Sequence, residues 1–187
     1  KKRLFIGVTR LLRLYTDVIW QASSEQERRE IARIHGPKAR IVVAMDLPSL
    51  QTADHLRRKP KVSGKLKLVF LSRVSKMKNL HYALDLLRHV QGEVVFDIYG
   101  PMEDKLYWET CEQLIAQLPG NITVNYKGPV QHEDVNACLS DYELFFLPTL
   151  GEGFGHAIFE ALQAGCPVLL SNRTPWNDID EQGGGRV

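Results

Sequence analysis

Residues 151–172 read GEGFGHAIFEALQAGCPVLLSN and combine a helix-like pattern with an apolar run typical of a buried strand. The stretch opens with three glycines at alternate positions, and it carries two glutamates, Glu152 and Glu160. Glutamate is rarely buried unless its carboxylate has a partner. We therefore expect both carboxylates to meet polar groups of the protein or of a ligand, and those partners indicate the function.

The same alternation of strand-like and helix-like segments extends back to residue 66. Single helices between strands predict βαβ units, and hence an α/β fold of Rossmann-like type with a parallel sheet flanked by helices. Ligands of such sheets bind beyond the carboxyl ends of the strands, so the chemistry is expected just after each strand. The predicted strands are 66–72, 93–100, 121–128, 143–148 and 166–171.

A smaller α/β pattern precedes this domain. Two strand-like runs flank a helix-like segment that begins after Ser24, a residue that favours helix starts, and ends at Gly36. The next stretch has no sustained period and contains Pro60 and Gly64, as linkers often do. A single domain with a long loop is the alternative. The predicted division is the end of an N-terminal α/β domain at 1–48, a linker at 49–64 and a ligand-binding domain at 65–187.

Composition excludes several classes of protein. The net charge of +2, from 24 basic and 22 acidic residues, is too balanced to indicate nucleic-acid binding. The 3 cysteines have no CxxC spacing, so they indicate neither a disulfide framework nor a zinc site, and a reducing cytoplasm is the expected compartment. No apolar run approaches the ~20 residues that a membrane-spanning helix needs.

The first segment, KKRLFIGVTRLLRLY, mixes basic and apolar residues in a pattern typical of an amphipathic helix. Such a helix binds an anionic membrane surface in some proteins. In others it is partly buried and its charges are solvated. The sequence is compatible with both interpretations.

Basic residues follow the first strand of the larger domain. Arg73 and Lys78 lie in the loop before the next helix, where a guanidinium and an ammonium suit an anion such as a diphosphate. The alternative is that both are solvated loop residues. After the second strand, Gly100 and Pro101 indicate a turn with a close backbone approach.

The turn after the third strand contains Gly128 and Val130, and the valine could offer an apolar surface to a flat base. His132 and Glu133 follow, and we expect them to cap and solvate the next helix rather than act as acid or base. Gly100, Pro101, Gly128 and Val130 together form the predicted nucleotide pocket.

The fourth strand leads into the glycine-rich stretch. Its glycines allow backbone N–H groups to converge, and a helix beginning near Phe154 would present its positive end to the same place. Glu160 could accept hydrogen bonds from the two hydroxyls of a ribose, and Glu152 from hydroxyls further along a ligand. The alternative is that Glu152 caps the helix and Glu160 faces solvent.

Arg73, Lys78, Gly100, the run LPTLGEGFGHAIFEALQAGCPVLLS (147–171) and the following TPW resemble the donor-binding domain of retaining glycosyltransferases of family 4, which have the GT-B fold. The likeness covers residues 66 to about 183 and is greatest to bacterial surface-polysaccharide transferases. The segment TPWNDIDEQGGG departs from the PE segment of other branches, which leaves the donor undetermined.

The resemblance implies a role for each matched residue. Glu152 lies where the family places the carboxylate near the transferred sugar, and would be catalytic, while Glu160 lies where the ribose binds. Arg73 and Lys78 match the diphosphate-binding pair. The loop beneath the phosphates and sugar matches Gly153, Phe154 and Gly155.

The resemblance also implies the reaction. A sugar would pass from a nucleotide-diphosphate sugar to a glycan or lipid-linked acceptor in cell-surface polysaccharide synthesis, with retention of configuration and with no metal or other cofactor. The enzyme would work in the cytoplasm, with the inner face of the cell membrane as a possible surface. Because most of the acceptor domain is missing, we expect this chain alone to transfer nothing.

Two other functions stay open. A sugar-nucleotide epimerase with a GT-B-like fold would need acid and base residues acting on the sugar, and a phosphorylase would need a lysine that carries pyridoxal; the sequence shows neither pattern. A nucleotide-sugar-binding module without catalysis would keep the same binding residues. Such a module would differ from the enzyme only in that it transfers no sugar.

Overall fold

In this computed structural model the described residues are 2–12, 14–15, 17–44 and 62–187. Contacts divide the chain into two units, Lys1–Leu47 and Pro48–Val187. Most of the predicted linker, 49–64, lies outside the described residues, so the predicted domain boundaries stay predictions.

The first unit contains one βαβ motif. Its strands β1 (Ile19–Ala22) and β2 (Arg40–Val43) pair in parallel, and helix α2 (Glu25–His35) joins them. As the sequence predicts, the hydroxyl of Ser24 accepts a hydrogen bond from the Glu27 N–H at the start of α2. Helix α1 (Lys2–Leu11) comes before the motif.

The second unit is built on a six-stranded sheet whose neighbouring strands all run parallel. The strand order is β5-β4-β3-β6-β7-β8. The predicted Rossmann-like parallel sheet is confirmed, and its five predicted strands are present; the sixth, β8, lies in a glycine-rich end that carries no strand pattern. The strands are β3 (Lys65–Leu71), β4 (Glu93–Tyr99), β5 (Ile122–Gly128), β6 (Leu144–Leu147), β7 (Val168–Leu170) and β8 (Gly185–Arg186).

Helices flank this sheet in two pairs. Helix α3 packs with α4 and α5 packs with α6, while short 3-10 helices precede α3 and α5. Right-handed crossovers explain the pairs, because the chain moves one way along the sheet from β3 to β5 and the other way from β6 to β8. The helices are α3 (Leu80–Leu87), α4 (Lys105–Ile115), α5 (Val135–Ser140) and α6 (His156–Gln163), and the 3-10 helices are Lys76–Lys78 and His132–Asp134.

Reversal of the strand order creates a switch point between the carboxyl ends of β3 and β6. The loops that follow these two strands diverge there and leave a crevice, which is the usual ligand site of an open α/β sheet. The strands beneath it are rigidly packed, since Phe70, Phe96 and Phe145 are fully buried. The topology therefore places any site in the loops after β3 and β6.

Gly100, at the end of β4, is required by the close packing of two loops. Its φ is 132°, and a Cβ there would lie 2.0 Å from the carbonyl oxygen of Ser72. Its N–H donates to the carbonyl of Gly128 at 2.9 Å, which ties the ends of β4 and β5 together. A side chain would thus force the backbone apart at the predicted nucleotide pocket.

We predict that Gly100→Ala lowers the free energy of unfolding by on the order of 3 kcal/mol, through backbone strain and overpacking. Gly120→Ala is the matched control, because a Cβ at Gly120 meets nothing within 4 Å. Urea unfolding of both variants checks the prediction. Equal unfolding midpoints for the two would contradict it.

Candidate functional site

The loops after β3 and β6 are joined at the switch point. The carbonyl of Met77 accepts the Leu150 N–H at 2.8 Å and the Thr149 hydroxyl at 3.1 Å. The side-chain amide of Asn79 donates to the carbonyl of Pro148 at 2.9 Å. The two loops therefore form one surface rather than two independent segments.

Lys78 and Glu152 meet on this surface in an ion pair that is largely shielded from water. The Lys78 ammonium donates to the Glu152 carboxylate at 2.5 Å, and the two side chains are only 9% and 17% exposed. A buried ammonium needs a partner of this kind. Gly155 is the N-cap of α6 and no side chain caps it, so the alternative in which Glu152 caps the helix is wrong.

Arg73 has a different partner. Its guanidinium donates to the Glu103 carboxylate at 3.0 Å, and both side chains are about half-exposed. The pair borders a concavity of about 670 Å³ between the loops after β3 and β4, which Lys76 and Lys105 also line. An exposed ion pair of this kind is worth little energy, so an anion could replace Glu103 at small cost.

The glycine-rich loop uses part of its backbone internally. The Gly151 N–H donates to the Thr149 hydroxyl, and the Glu152 N–H donates to the carbonyl of Arg173 at 3.1 Å. The prediction of converging N–H groups is thereby limited to Gly153, Phe154 and Gly155, and for these it stays a prediction. Helix α6 begins at His156, two residues later than the sequence predicts, because Gly155 has a φ of 83° and is not helical.

Glu160 lies in the second turn of α6, beside His132. Its side chain is only 17% exposed, so the alternative in which it faces solvent is wrong. Burial raises the pKa of Glu160, while His132 and His156 act to lower it. His132 Nδ1 lies 3.4 Å from the carboxylate.

His132 fits the sequence prediction in part. Its side chain is 73% exposed, as expected of a solvated residue, but no side chain caps α5 or the 3-10 helix before it, and His132 lies beside Glu160. No local sequence pattern predicts which residue of another element a single histidine will contact. Its contact depends on α5 and α6 packing together, which the sequence does not specify at residue level.

The predicted nucleotide pocket brings the ends of β4 and β5 together. The Tyr126 hydroxyl donates to the carbonyl of Gly100 at 2.9 Å, and the Pro101 carbonyl accepts the Val74 N–H at 2.9 Å. Val130 is partly buried against the core, so part of its surface stays accessible. Gly100, Pro101 and Gly128 act here through their backbone, and the nucleotide contact stays a prediction.

Two further observations concern the described part of the chain. It contains no group of three or more His, Cys, Asp and Glu side chains arranged to hold a metal ion. Over the same residues, no helix has both the length and the apolar character that crossing a bilayer requires.

Comparison with known families gives one assignment. Residues 52–183, well over half of the chain, match the family described as glycosyl transferases group 1. The chain is 24% identical to a 41.2 kDa protein in the cps region of Klebsiella pneumoniae, over 92% of this chain and 47% of that protein. It is 25% identical to the O-antigen chain mannosyltransferase B of Escherichia coli, over 83% of this chain and 44% of that protein.

Solved structures with the same fold include two proteins that contain a uridine nucleotide. Anabaena HepE in complex with UDP-glucose matches all of this chain and 54% of its own, with a TM-score of 0.77 and 18% identity. The pneumococcal O-GlcNAc transferase GtfA, in complex with UDP and GlcNAc, matches 86% of this chain and 31% of its own, with a TM-score of 0.58 and 22% identity. The chain thus spans about half, or less, of the proteins it matches.

We predict that Glu160→Gln increases the free energy of unfolding at pH 7. A carboxyl whose pKa is higher in the folded state binds protons more tightly there, so its ionisation opposes folding. The stabilisation should shrink as pH falls through the raised pKa and vanish below the ordinary value of 4.5. Thermal unfolding between pH 4 and 8, with the exposed Glu109→Gln as control, checks the sign; a loss of stability at pH 7 would contradict it.

Proposed function

Because the chain belongs to the glycosyl transferases group 1, we propose that its second unit binds a nucleotide-diphosphate sugar and is the donor half of a retaining, metal-independent transferase. The observation that carries the proposal is the shielded Lys78–Glu152 pair at the switch point of the sheet. A cation beside a carboxylate supports this proposal, because a leaving diphosphate would need the first and a reacting sugar the second.

Lys78 would bind the diphosphate. An ammonium has three donors, and Glu152 takes one of them, which leaves two for phosphate oxygens. The amino end of α6 begins one residue after Gly155 and adds its positive dipole. A cation held in a partly dehydrated place stabilises the charge of a departing diphosphate without reorganisation of solvent, a role that a metal ion has in other enzymes. Arg73 would join it by exchanging Glu103 for phosphate.

Glu152 would serve the sugar. Its carboxylate oxygens suit hydroxyl groups of the sugar and the positive charge that develops as the sugar–phosphate bond breaks. In a retaining reaction the acceptor hydroxyl attacks on the face that the diphosphate leaves. That hydroxyl belongs to an acceptor bound outside this unit.

Glu160 and the pocket formed by Gly100, Pro101, Gly128 and Val130 would hold the nucleoside. A half-buried carboxylate accepts two ribose hydroxyls well, because it has unfilled lone pairs and few water molecules to displace. We propose UDP as the nucleotide of the donor, since the structures of HepE and GtfA contain UDP.

The acceptor is proposed from relatives alone. An O-antigen mannosyltransferase and colanic acid glycosyltransferases are among them, which supports a glycan or lipid-linked acceptor in surface polysaccharide synthesis. We propose a cytoplasmic enzyme that contacts the inner membrane face through α1. Phe5 and Val8 are exposed on one side of this helix, and Leu12, directly after it, is exposed as well.

We predict that this chain binds UDP in calorimetric titration more tightly than GDP or ADP, and that removal of the Lys78 charge weakens the binding of UDP. Lys78→Met alone would leave the shielded Glu152 carboxylate without its cation and destabilise the fold by about 3–5 kcal/mol. Glu152→Gln alone would likewise leave the buried ammonium without its carboxylate, so the informative comparison is the wild-type chain against Lys78→Met/Glu152→Gln, which removes both charges together. We expect the second to bind UDP at least tenfold more weakly, with a flatter salt dependence.

Lys65→Met is the matched control, because Lys65 forms an exposed ion pair with Glu93 at the opposite end of β3. It should leave UDP binding unchanged. Equal UDP affinities of the wild type and the double variant would remove this lysine from the site. Absence of binding by the folded wild-type chain to any of the three nucleotides would overturn the proposed function.

We predict that Glu160→Ala weakens UDP binding by on the order of 1–3 kcal/mol, the cost of losing hydrogen bonds to a charged acceptor. The same substitution should not affect binding of 2′,3′-dideoxyuridine diphosphate, which lacks the hydroxyls. An equal loss for both nucleotides would contradict the assignment of Glu160 to the ribose. Glu109→Ala is the control for the removal of an exposed helical carboxylate.

A further inference from the structure

A short segment after β7, residues 171–176, runs beside the glycine-rich loop and holds it at three successive points. The Ser171 hydroxyl donates to the carbonyl of Thr149 at 2.5 Å. The Arg173 carbonyl accepts the Glu152 N–H at 3.1 Å. We call residues 171–176 the clasp segment. Its third contact, made by Trp176, differs from the first two because it combines a hydrogen bond with ring packing.

Trp176 holds Phe154 by both backbone and side chain. Its indole Nε1–H donates to the carbonyl of Phe154 at 2.7 Å. Its ring meets the Phe154 ring edge-on, with centroids 5.7 Å apart, and lies 6.3 Å from the Phe159 ring on α6. The clasp segment is itself anchored nearby, because Thr174 is fully buried and its hydroxyl accepts the Trp176 N–H at 3.3 Å.

Because the peptide bond is planar, the hydrogen bond from Trp176 to the Phe154 carbonyl also orients the next N–H group along the chain. The carbonyl of Phe154 and the N–H of Gly155 belong to one planar trans peptide, so they point in opposite directions. A donor that fixes the carbonyl therefore also fixes the direction of the Gly155 N–H, which points away from Trp176. Gly155 is the N-cap of α6, where no side chain caps the helix, and the N–H groups at a helix start have no intrahelical partner.

The loop needs such a restraint. Phe154 lies between Gly153 and Gly155, and glycine loses more conformational freedom on ordering than any other residue. If the loop were ordered only on binding, that entropy would weaken the affinity for a ligand. A contact that orders the loop before the ligand binds removes this entropic cost from the binding step.

We propose that Trp176 is a positioning residue, which aims the Gly155 N–H at the diphosphate or sugar of the donor through its hydrogen bond to Phe154. The sugar itself is bound by other groups, and Trp176 acts through the loop. This inference rests on the proposed function for the identity of the ligand, whereas the restraint on the loop is independent of it.

Trp176→Phe tests the inference because it keeps an aromatic ring and removes the donor. Trp108→Phe is the matched control, since Trp108 is buried on α4 against Tyr126 and away from the loop. Hydrogen exchange of the ligand-free chain is measured first. We expect faster exchange of amides in residues 151–157 for Trp176→Phe, with unchanged exchange in β6 and β7, and no change in the loop for Trp108→Phe.

Binding is measured next, by calorimetric titration with UDP-glucose, UDP and uridine. We expect Trp176→Phe to bind UDP-glucose and UDP about fivefold to tenfold more weakly, the value of one net hydrogen bond, and to bind uridine as the wild type does. General loosening of the fold would instead weaken all three.

The outcomes separate the two hypotheses. Unchanged exchange in the loop overturns the restraint, whatever the chain binds. Faster exchange with unchanged UDP-glucose affinity shows that the aim of the Gly155 N–H does not matter to the donor, and overturns the positioning role. If the wild type binds none of the three ligands, the proposed function fails and the positioning role with it, while the exchange result still decides whether Trp176 restrains the loop.

Discussion

The site depends on one buried ion pair. Lys78 ends the loop region after β3, and Glu152 lies in the loop after β6, so their contact joins the two strands at which the sheet reverses its order. Each charge is tolerable away from water only because the other is there. The remaining contacts between these loops, through Met77 and Asn79, keep the pair in place.

The Glu160 carboxylate is a second partly buried charged group, and its ionisation opposes folding. Its pKa is raised by burial, and an exposed histidine 3.4 Å away compensates only in part. A carboxylate that lacks a strong internal partner is free to take one from a ligand. Perturbed pKa values of this kind collect at functional sites because groups that are poised for a ligand are poorly satisfied without it. The ionised Glu160 carboxylate lowers the stability of the ligand-free protein, and such a cost is expected at a place where a hydroxyl-rich ligand would bind.

Local sequence patterns were sufficient to predict where most strands and helices of the larger unit lie. The predicted strand 66–72 is β3, at 65–71, and the predicted strand 93–100 is β4, at 93–99. Apolar runs with β-branched and aromatic residues are strong signals when a buried parallel sheet must accommodate them on both faces. The errors lie where the pattern is short or rich in glycine. β8 has two residues and no apolar run, and α6 starts after Gly155 because a left-handed backbone cannot continue as a helix.

The sequence by itself determined the strand and helix succession, and with it the position of Glu152 and Glu160 after the fourth strand of the larger unit, whereas the strand order that makes this a switch point came from the tertiary structure. It also determined that these glutamates required partners, because the surrounding residues are apolar or small. Only the tertiary structure decided which partners they have in the protein: Lys78 for Glu152, His132 for Glu160, and Glu103 for Arg73. It alone paired Trp176 with Phe154. Spacing along the chain constrains contacts within one element, whereas contacts between loops on different strands depend on how the sheet and its helices pack.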